Sequence, residues 1–131
     1  MVSETFTVKT NRSTEIVDIT DKVDEIIRKS GIDEGICLIL IPHATAALIM
    51  NECEPNLESD FLKFFEKFVP KGDYAHNRID DNAEAHMKSA FFGQSVCLPI
   101  KNSELVRGTW QEILLCEFDG PRERRVIVTC K

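Results

Sequence analysis

Residues Ile36-Cys37-Leu38-Ile39-Leu40-Ile41 form an unbroken apolar run that ends at Pro42. Such a run is too short for a buried helix and lacks the alternation of a half-exposed strand, so it reads as a strand covered on both faces. Ala46-Ala47-Leu48-Ile49-Met50 follows closely and reads as a second buried strand. Two core strands joined by a short link place His43 and Thr45 in that link, at one end of the core.

The remaining elements are arranged around this pair. Phe6 and Val8 alternate with polar residues from Glu4 to Thr10, as in a half-buried strand, and Glu15 to Ile19 makes a short second one. Thr20 suits the cap of a helix with Asp21 and Asp24 in its first turn, a Val23, Ile26 and Ile27 stripe, and Gly31 as its stop. Pro55 and Asn56 open a helix with Leu57, Phe61, Phe64, Phe65 and Phe68 on one face, ended by Pro70 and Gly72. A polar loop from Lys71 to Asp80 carries His76. A helix then starts at Asp81 or Asn82, either of which can cap it, and closes at Gly93. Helical spacing puts Ala83, His86, Met87, Ala90 and Phe91 on its buried face. Three strands, Ser95 to Ile100, Gln111 to Phe118 and Arg125 to Cys130, are separated by turns at Asn102-Ser103 and Asp119-Gly120-Pro121. The order ββ-α-ββ-α-α-βββ implies an α+β domain over residues 1–131, built on a mostly antiparallel sheet or two-sheet sandwich.

At 131 residues the chain can bury about two thirds of its unfolded surface in one domain. Its net charge of -6 argues against nucleic acid as a partner, while leaving room for a small phosphorylated ligand in a local basic pocket. The N-terminus has no secretory pattern and no apolar stretch is long enough to span a bilayer, so no membrane partner is expected. The five cysteines, Cys37, Cys53, Cys97, Cys116 and Cys130, are odd in number and unpaired in spacing. They read as buried free thiols in a reducing cytoplasm.

All three histidines, His43, His76 and His86, fall in or beside loops at element ends. Each has a plain reading as an imidazole satisfied by backbone. Together they could hold Zn²⁺ or a similar divalent ion with one coordination position open, the arrangement of a catalytic site. Asp80, Asp81, Glu52 and Glu84 could orient the rings. Asn51-Glu52 follows a core strand, and Glu52 could act as a general acid or base or stand as a solvated carboxylate. Arg122, in the only basic cluster (Arg122-Glu123-Arg124-Arg125), could clamp a phosphate or line a solvated turn. Cys53 and the single Trp110 read as structural. There is no Gly-rich phosphate loop, nucleophile elbow or Cys-x-x-Cys ribbon.

The words Pro42-His43-Ala44-Thr45-Ala46-Ala47, Met50-Asn51-Glu52, Asp81-Asn82-Ala83-Glu84-Ala85-His86, Gly108-Thr109-Trp110-Gln111 and Glu117-Phe118-Asp119-Gly120-Pro121-Arg122 closely resemble the YjbQ-like family, the secondary thiamine-phosphate synthase-type proteins. The resemblance spans nearly the whole chain. It implies a seven-stranded sandwich, a homotrimer, and a divalent-metal site of histidines matching His43, His76 and His86. Zinc is the expected ion, with magnesium an alternative for a phosphorylated substrate. The implied transferase activity joins a pyrimidine diphosphate to a thiazole phosphate, giving thiamine phosphate and pyrophosphate. A non-catalytic trimer binding a metal or metabolite is the competing reading. On the catalytic reading Glu52 and Asp81 are acid–base or orienting groups, and Thr45, Asn51 and Arg122 contact substrate. Ala44 departs from the Thr or Ser usual in the family, and Thr45 could supply the missing hydroxyl.

Overall fold

Every strand pairing in the computed structural model, which describes residues 1–131, is antiparallel. The strands are β1 (Val2–Lys9), β2 (Glu15–Asp18), β3 (Gly35–Leu40), β4 (Ala46–Asn51), β5 (Ser95–Lys101), β6 (Glu104–Leu105), β7 (Glu112–Glu117) and β8 (Glu123–Cys130). The helices are α1 (Thr20–Ser30), α2 (Pro55–Phe68) and α3 (Ala83–Phe92), with a 3-10 turn at Ala75–Arg78. Five strands form one sheet in the order β1-β8-β3-β5-β6, and three form another in the order β2-β7-β4. The expected α+β two-sheet arrangement is present, with the two-residue β6 as an eighth strand beyond the seven expected. No helix is long and apolar enough to cross a membrane.

The main core lies between the sheets. Cys37, Ile39, Val126 and Val128 from the larger sheet meet Leu48, Ile113 and Leu115 from the smaller, and Val23, Ile26 and Ile27 of α1 close one side. The opposite face of the smaller sheet, through Ala47, Cys116 and Phe118, packs on Phe65 of α2 and Ala85 of α3. Strand β7 is therefore covered on both faces, which explains why Ile113 to Phe118 is buried throughout. The result is a three-layer stack of large sheet, small sheet and helices.

Several sequence expectations need correction. Strand β3 is central in its sheet, but Ile36 is 56% and Leu38 42% exposed, because no layer of this chain covers the outer face of the larger sheet. The doubly covered strand is β7. Trp110 is 70% exposed, outside the core. Cys37, Cys116 and Cys130 are buried, whereas Cys53 and Cys97 are exposed.

Helix α3 buries Ala83, Ala85, Lys88 and Ser89, while Met87 and Phe91 turn outward and His86 is half-buried. The small side chains win because they let the helix approach β4 closely: the Ser89 hydroxyl donates to the Ala46 carbonyl at 2.6 Å. On α2 only Phe65 is fully buried, and Phe64 and Phe68 stack with Phe91 and Phe92 at the edge. Thr20 does not cap α1 but is its first residue: its amide donates to Asp18 Oδ1 at 2.9 Å, and its hydroxyl accepts from the Ile113 amide at 2.8 Å.

The turn between β7 and β8 holds the chain where a side chain has no room. A Cβ on Gly120 would lie 2.1 Å from the Arg12 carbonyl oxygen and 2.8 Å from Glu117 Cγ. Replacing Gly120 with Ala should therefore lower stability by about 1–3 kcal/mol or more, read as a melting-temperature drop of roughly 3–10 °C. An unchanged melting temperature would show that the turn relaxes freely.

Candidate functional site

One end of the stack is built around a buried ion pair. Glu117, at the end of β7, is fully buried, as is Arg124 near the start of β8. Arg124 Nε donates to Glu117 Oε1 at 2.9 Å, and its Nη2 donates to Glu117 Oε2 in a two-pronged pair. The same Nη2 also reaches Thr45 Oγ1 at 2.8 Å and the Thr45 carbonyl at 3.1 Å. The Thr10 hydroxyl donates to Glu117 Oε1 at 2.8 Å, and the Asp119 amide donates to Oε2 at 3.0 Å. Burial alone would push the Glu117 carboxyl up, but the bonds from Arg124, Asp119 and Thr10 hold it below its ordinary value. This cluster joins four chain segments and fixes where the turn after β7 begins.

From that turn a polar chain runs to the histidines. Asp119 Oδ2 accepts from Arg122 Nη2 at 2.8 Å and from Asn82 Nδ2 at 2.9 Å. Asn82 Oδ1 lies 2.9 Å from His76 Nε2. The His76 and His86 rings meet edge to face with centroids 4.8 Å apart. Asn77 braces both elements, its Oδ1 accepting from the Ala83 amide and its Nδ2 donating to Glu84 Oε1, each at 2.8 Å. Asn82 stands at the start of α3 without capping it; the Asn77 side chain takes that role.

These bonds settle the protonation of two rings. A carboxylate only accepts, so Asp119 directs the Asn82 amide nitrogen toward itself and leaves Oδ1 facing His76. His76 Nε2 must then carry the proton, and Nδ1 keeps its lone pair. This is the carboxylate-backed arrangement common behind metal-binding histidines, with Asn82 inserted as a relay. His43 is the opposite case. Its Nε2 accepts from the Arg125 amide at 2.8 Å, so the proton sits on Nδ1 and no lone pair remains. Burial, with Arg124 and Arg125 nearby, pushes the His43 imidazole below its ordinary value of 6.5.

Of the three histidines the fold brings two rings together, His76 and His86, and holds His43 against Arg125. No group of three His, Cys, Asp or Glu side chains converges in a metal-holding arrangement. The His76 and His86 rings stand side by side, whereas His43 is bonded to the Arg125 amide. Other expected site residues also move. Glu52 and Asn51 lie at the far end of β4 from His43, a strand's length away, and Asn51 Oδ1 accepts the Glu52 amide at 2.8 Å. Thr45 is buried and serves Arg124, so it cannot replace a hydroxyl at position 44 toward substrate. Asp81 is exposed, and the acid joined to Asn82 is Asp119. Arg122 is beside the pair's support, held through Asp119, with part of its guanidinium exposed.

Asp119, Asn77, Glu117 and Arg124 were not singled out from sequence. Glu117 and Asp119 stood only within a family word, and the signal for the ion pair was a glutamate inside the apolar run Ile113 to Phe118, seven residues before an arginine in a basic cluster.

The lowered His43 value gives a sign. The folded state holds the neutral ring, so stability is full above the unfolded value of 6.5 and falls as pH drops below it. Wild type should lose stability against His43→Gln, which keeps an acceptor for Arg125, between about pH 7 and 5. Parallel stability curves for the two proteins would overturn this account of His43.

Residues 4–131 match the family model described as UPF0047 protein YjbQ-like. A UPF0047 protein of Archaeoglobus fulgidus is 49% identical over 124 residues, covering 94% of this chain and 96% of the relative. One of Bacillus subtilis is 38% identical, covering 92% of each. Among solved structures, a YbjQ-like protein of unknown function from Sulfolobus solfataricus superposes with a TM-score of 0.95 at 47% identity, covering 97% of this chain and 94% of that one. A protein from Aeropyrum pernix K1 superposes at 0.97 with 40% identity, covering 100% and 98%. With the match running nearly end to end in sequence and in fold, the chain belongs to the UPF0047 YjbQ-like family.

Proposed function

We propose that the His76–His86 pair is the working centre of a metal-dependent enzyme that acts on a small phosphorylated compound. The observation that carries this reading is the oriented His76 ring, whose Nδ1 is left available by the Asn82–Asp119 relay beside a second imidazole. His76 and His86 would hold the ion, zinc by the preference of imidazole donors or magnesium if the phosphorylated substrate brings it. When bound, the ion would polarise phosphoryl oxygens. Asp119 and Asn82 keep His76 in one tautomer, and the exposed part of Arg122 offers a guanidinium to a phosphate. Transfer of a pyrimidine diphosphate to a thiazole phosphate, a secondary thiamine-phosphate synthase reaction, is the specific activity to test first. We place the protein in the cytoplasm as a homotrimer, and the exposed Ile36 and Leu38 on the uncovered sheet face support assembly.

One observation favours the non-catalytic reading, a trimer that binds metal or metabolite without turnover. Asp119 already accepts from two donors, and Glu52 is a strand's length from His43, so neither stands ready as acid or base beside the pair. The two readings separate in one experiment. Purified protein should bind about one zinc ion per chain, and Asp119→Asn should weaken that affinity by roughly 10–100-fold. His86→Ala should abolish both binding and thiamine phosphate formation, while His43→Gln keeps the metal. Metal binding without any product supports the non-catalytic reading. A His43→Gln protein that loses metal as fully as His86→Ala would contradict the two-histidine assignment.

A further inference from the structure

On the other side of α3 from His86, Lys88 enters a separate cavity. The two residues are two positions apart, about 200° around the helix, so they serve different faces. The cavity measures about 730 Å³ and opens between α2, α3 and the β1–β2 turn. That volume is within the usual range for small-molecule sites. Lys88 is only 8% exposed, yet no carboxylate lies within salt-bridge distance of its ammonium. The ammonium instead stands 5.5 Å from the centre of the Phe118 ring, whose face attracts a cation.

A lysine this buried normally has a charged partner, because taking an ammonium out of water is costly. Arg12, Lys63 and Lys71 also line the cavity, and none of them makes a salt bridge either. Three carboxylates, Glu58, Glu66 and Glu84, share the lining, with Glu84 drawn to Asn77. Glu84 and Glu66 act on the Lys88 ammonium only from beyond salt-bridge distance, and four cations facing three carboxylates leave room for an anion at Lys88. Ser13, Thr14 and Ser59 add hydroxyl groups, and only two of the thirteen lining residues are hydrophobic.

We propose that this cavity is a second binding site, for a phosphate group carried on a small polar molecule, with Lys88 as its buried anchor and Arg12, Lys63 and Lys71 as its rim. Phosphate suits the site better than a carboxylate because its greater charge and three free oxygens can engage several cations at once. The site stands whether or not the histidine pair holds a metal. Rim cations steer the anion inward, and Lys88 fixes its position against Phe118.

The test is a titration of metal-free protein with inorganic phosphate, read by thermal shift and calorimetry against chloride at equal ionic strength. Saturable binding in the millimolar range or tighter is expected, weakened about tenfold or more in Lys88→Met, which keeps an unbranched apolar stem over Phe118. Lys63→Ala/Lys71→Ala changes only exposed residues and should weaken binding several-fold even where Lys88→Met fails to fold. His86→Ala should bind phosphate as wild type does. Three results would each overturn the proposal: no phosphate effect beyond chloride, which would mean that water alone satisfies Lys88; unchanged binding in both the Lys88 variant and the rim variant; or an equal loss in His86→Ala, which would move the anion to the histidine pair.

Discussion

The buried pair of Glu117 and Arg124 sets the geometry of the end of the molecule that carries the histidines. Neither charge reaches water, and each is satisfied only by the other and by Thr10, Thr45 and the Asp119 amide. Their bonds cross from the small sheet to the large one and hold the link before β4 against the turn after β7. Such a pair adds little net stability over apolar residues of the same shape, but losing one partner strands a buried charge. Its role is to allow one arrangement of that end. The link and the turn cannot shift separately, and Gly120 is needed because the turn runs so close to Arg12.

The consequences reach the histidines through bonds of fixed direction. Asp119 is placed by the ion pair, Asp119 orients Asn82, and Asn82 assigns the proton on His76. On the other side Arg125, next to Arg124 in β8, engages the lone pair of His43. One backbone turn therefore leaves the Nδ1 lone pair of His76 without a partner and engages Nε2 of His43. Helix α3 then serves two faces, with His86 toward His76 and Lys88 toward the cavity beside α2.

Much of the fold could be read from the chain because apolar runs and turn residues act locally. The two core strands flanking His43, the helix from Pro55 and the turn at Asn102-Ser103 all stand where expected, the last with positive φ at both residues. What failed depended on partners distant in sequence. The outer face of β3 looked covered because a continuous apolar run does not say whether its second layer comes from the same chain. The face of α3 was misjudged because helical spacing counts Met87 and Phe91 as core, whereas close docking on β4 selected Ala85 and Ser89. All three histidines were legible as candidates. Which of them keeps a free lone pair was not, since that rests on Arg125, Asn82 and Asp119, contacts that span up to 82 positions.

A double-mutant cycle on the buried pair tests this account most directly. Glu117→Leu and Arg124→Met, alone and together, would be compared by denaturant unfolding. The account predicts that each single variant loses about 3–5 kcal/mol and that the double variant is no worse than either, a coupling of roughly 2 kcal/mol or more. Additive losses, or single variants as stable as wild type, would show that the pair does not govern this end of the fold, and the derived states of His76 and His43 would lose their foundation.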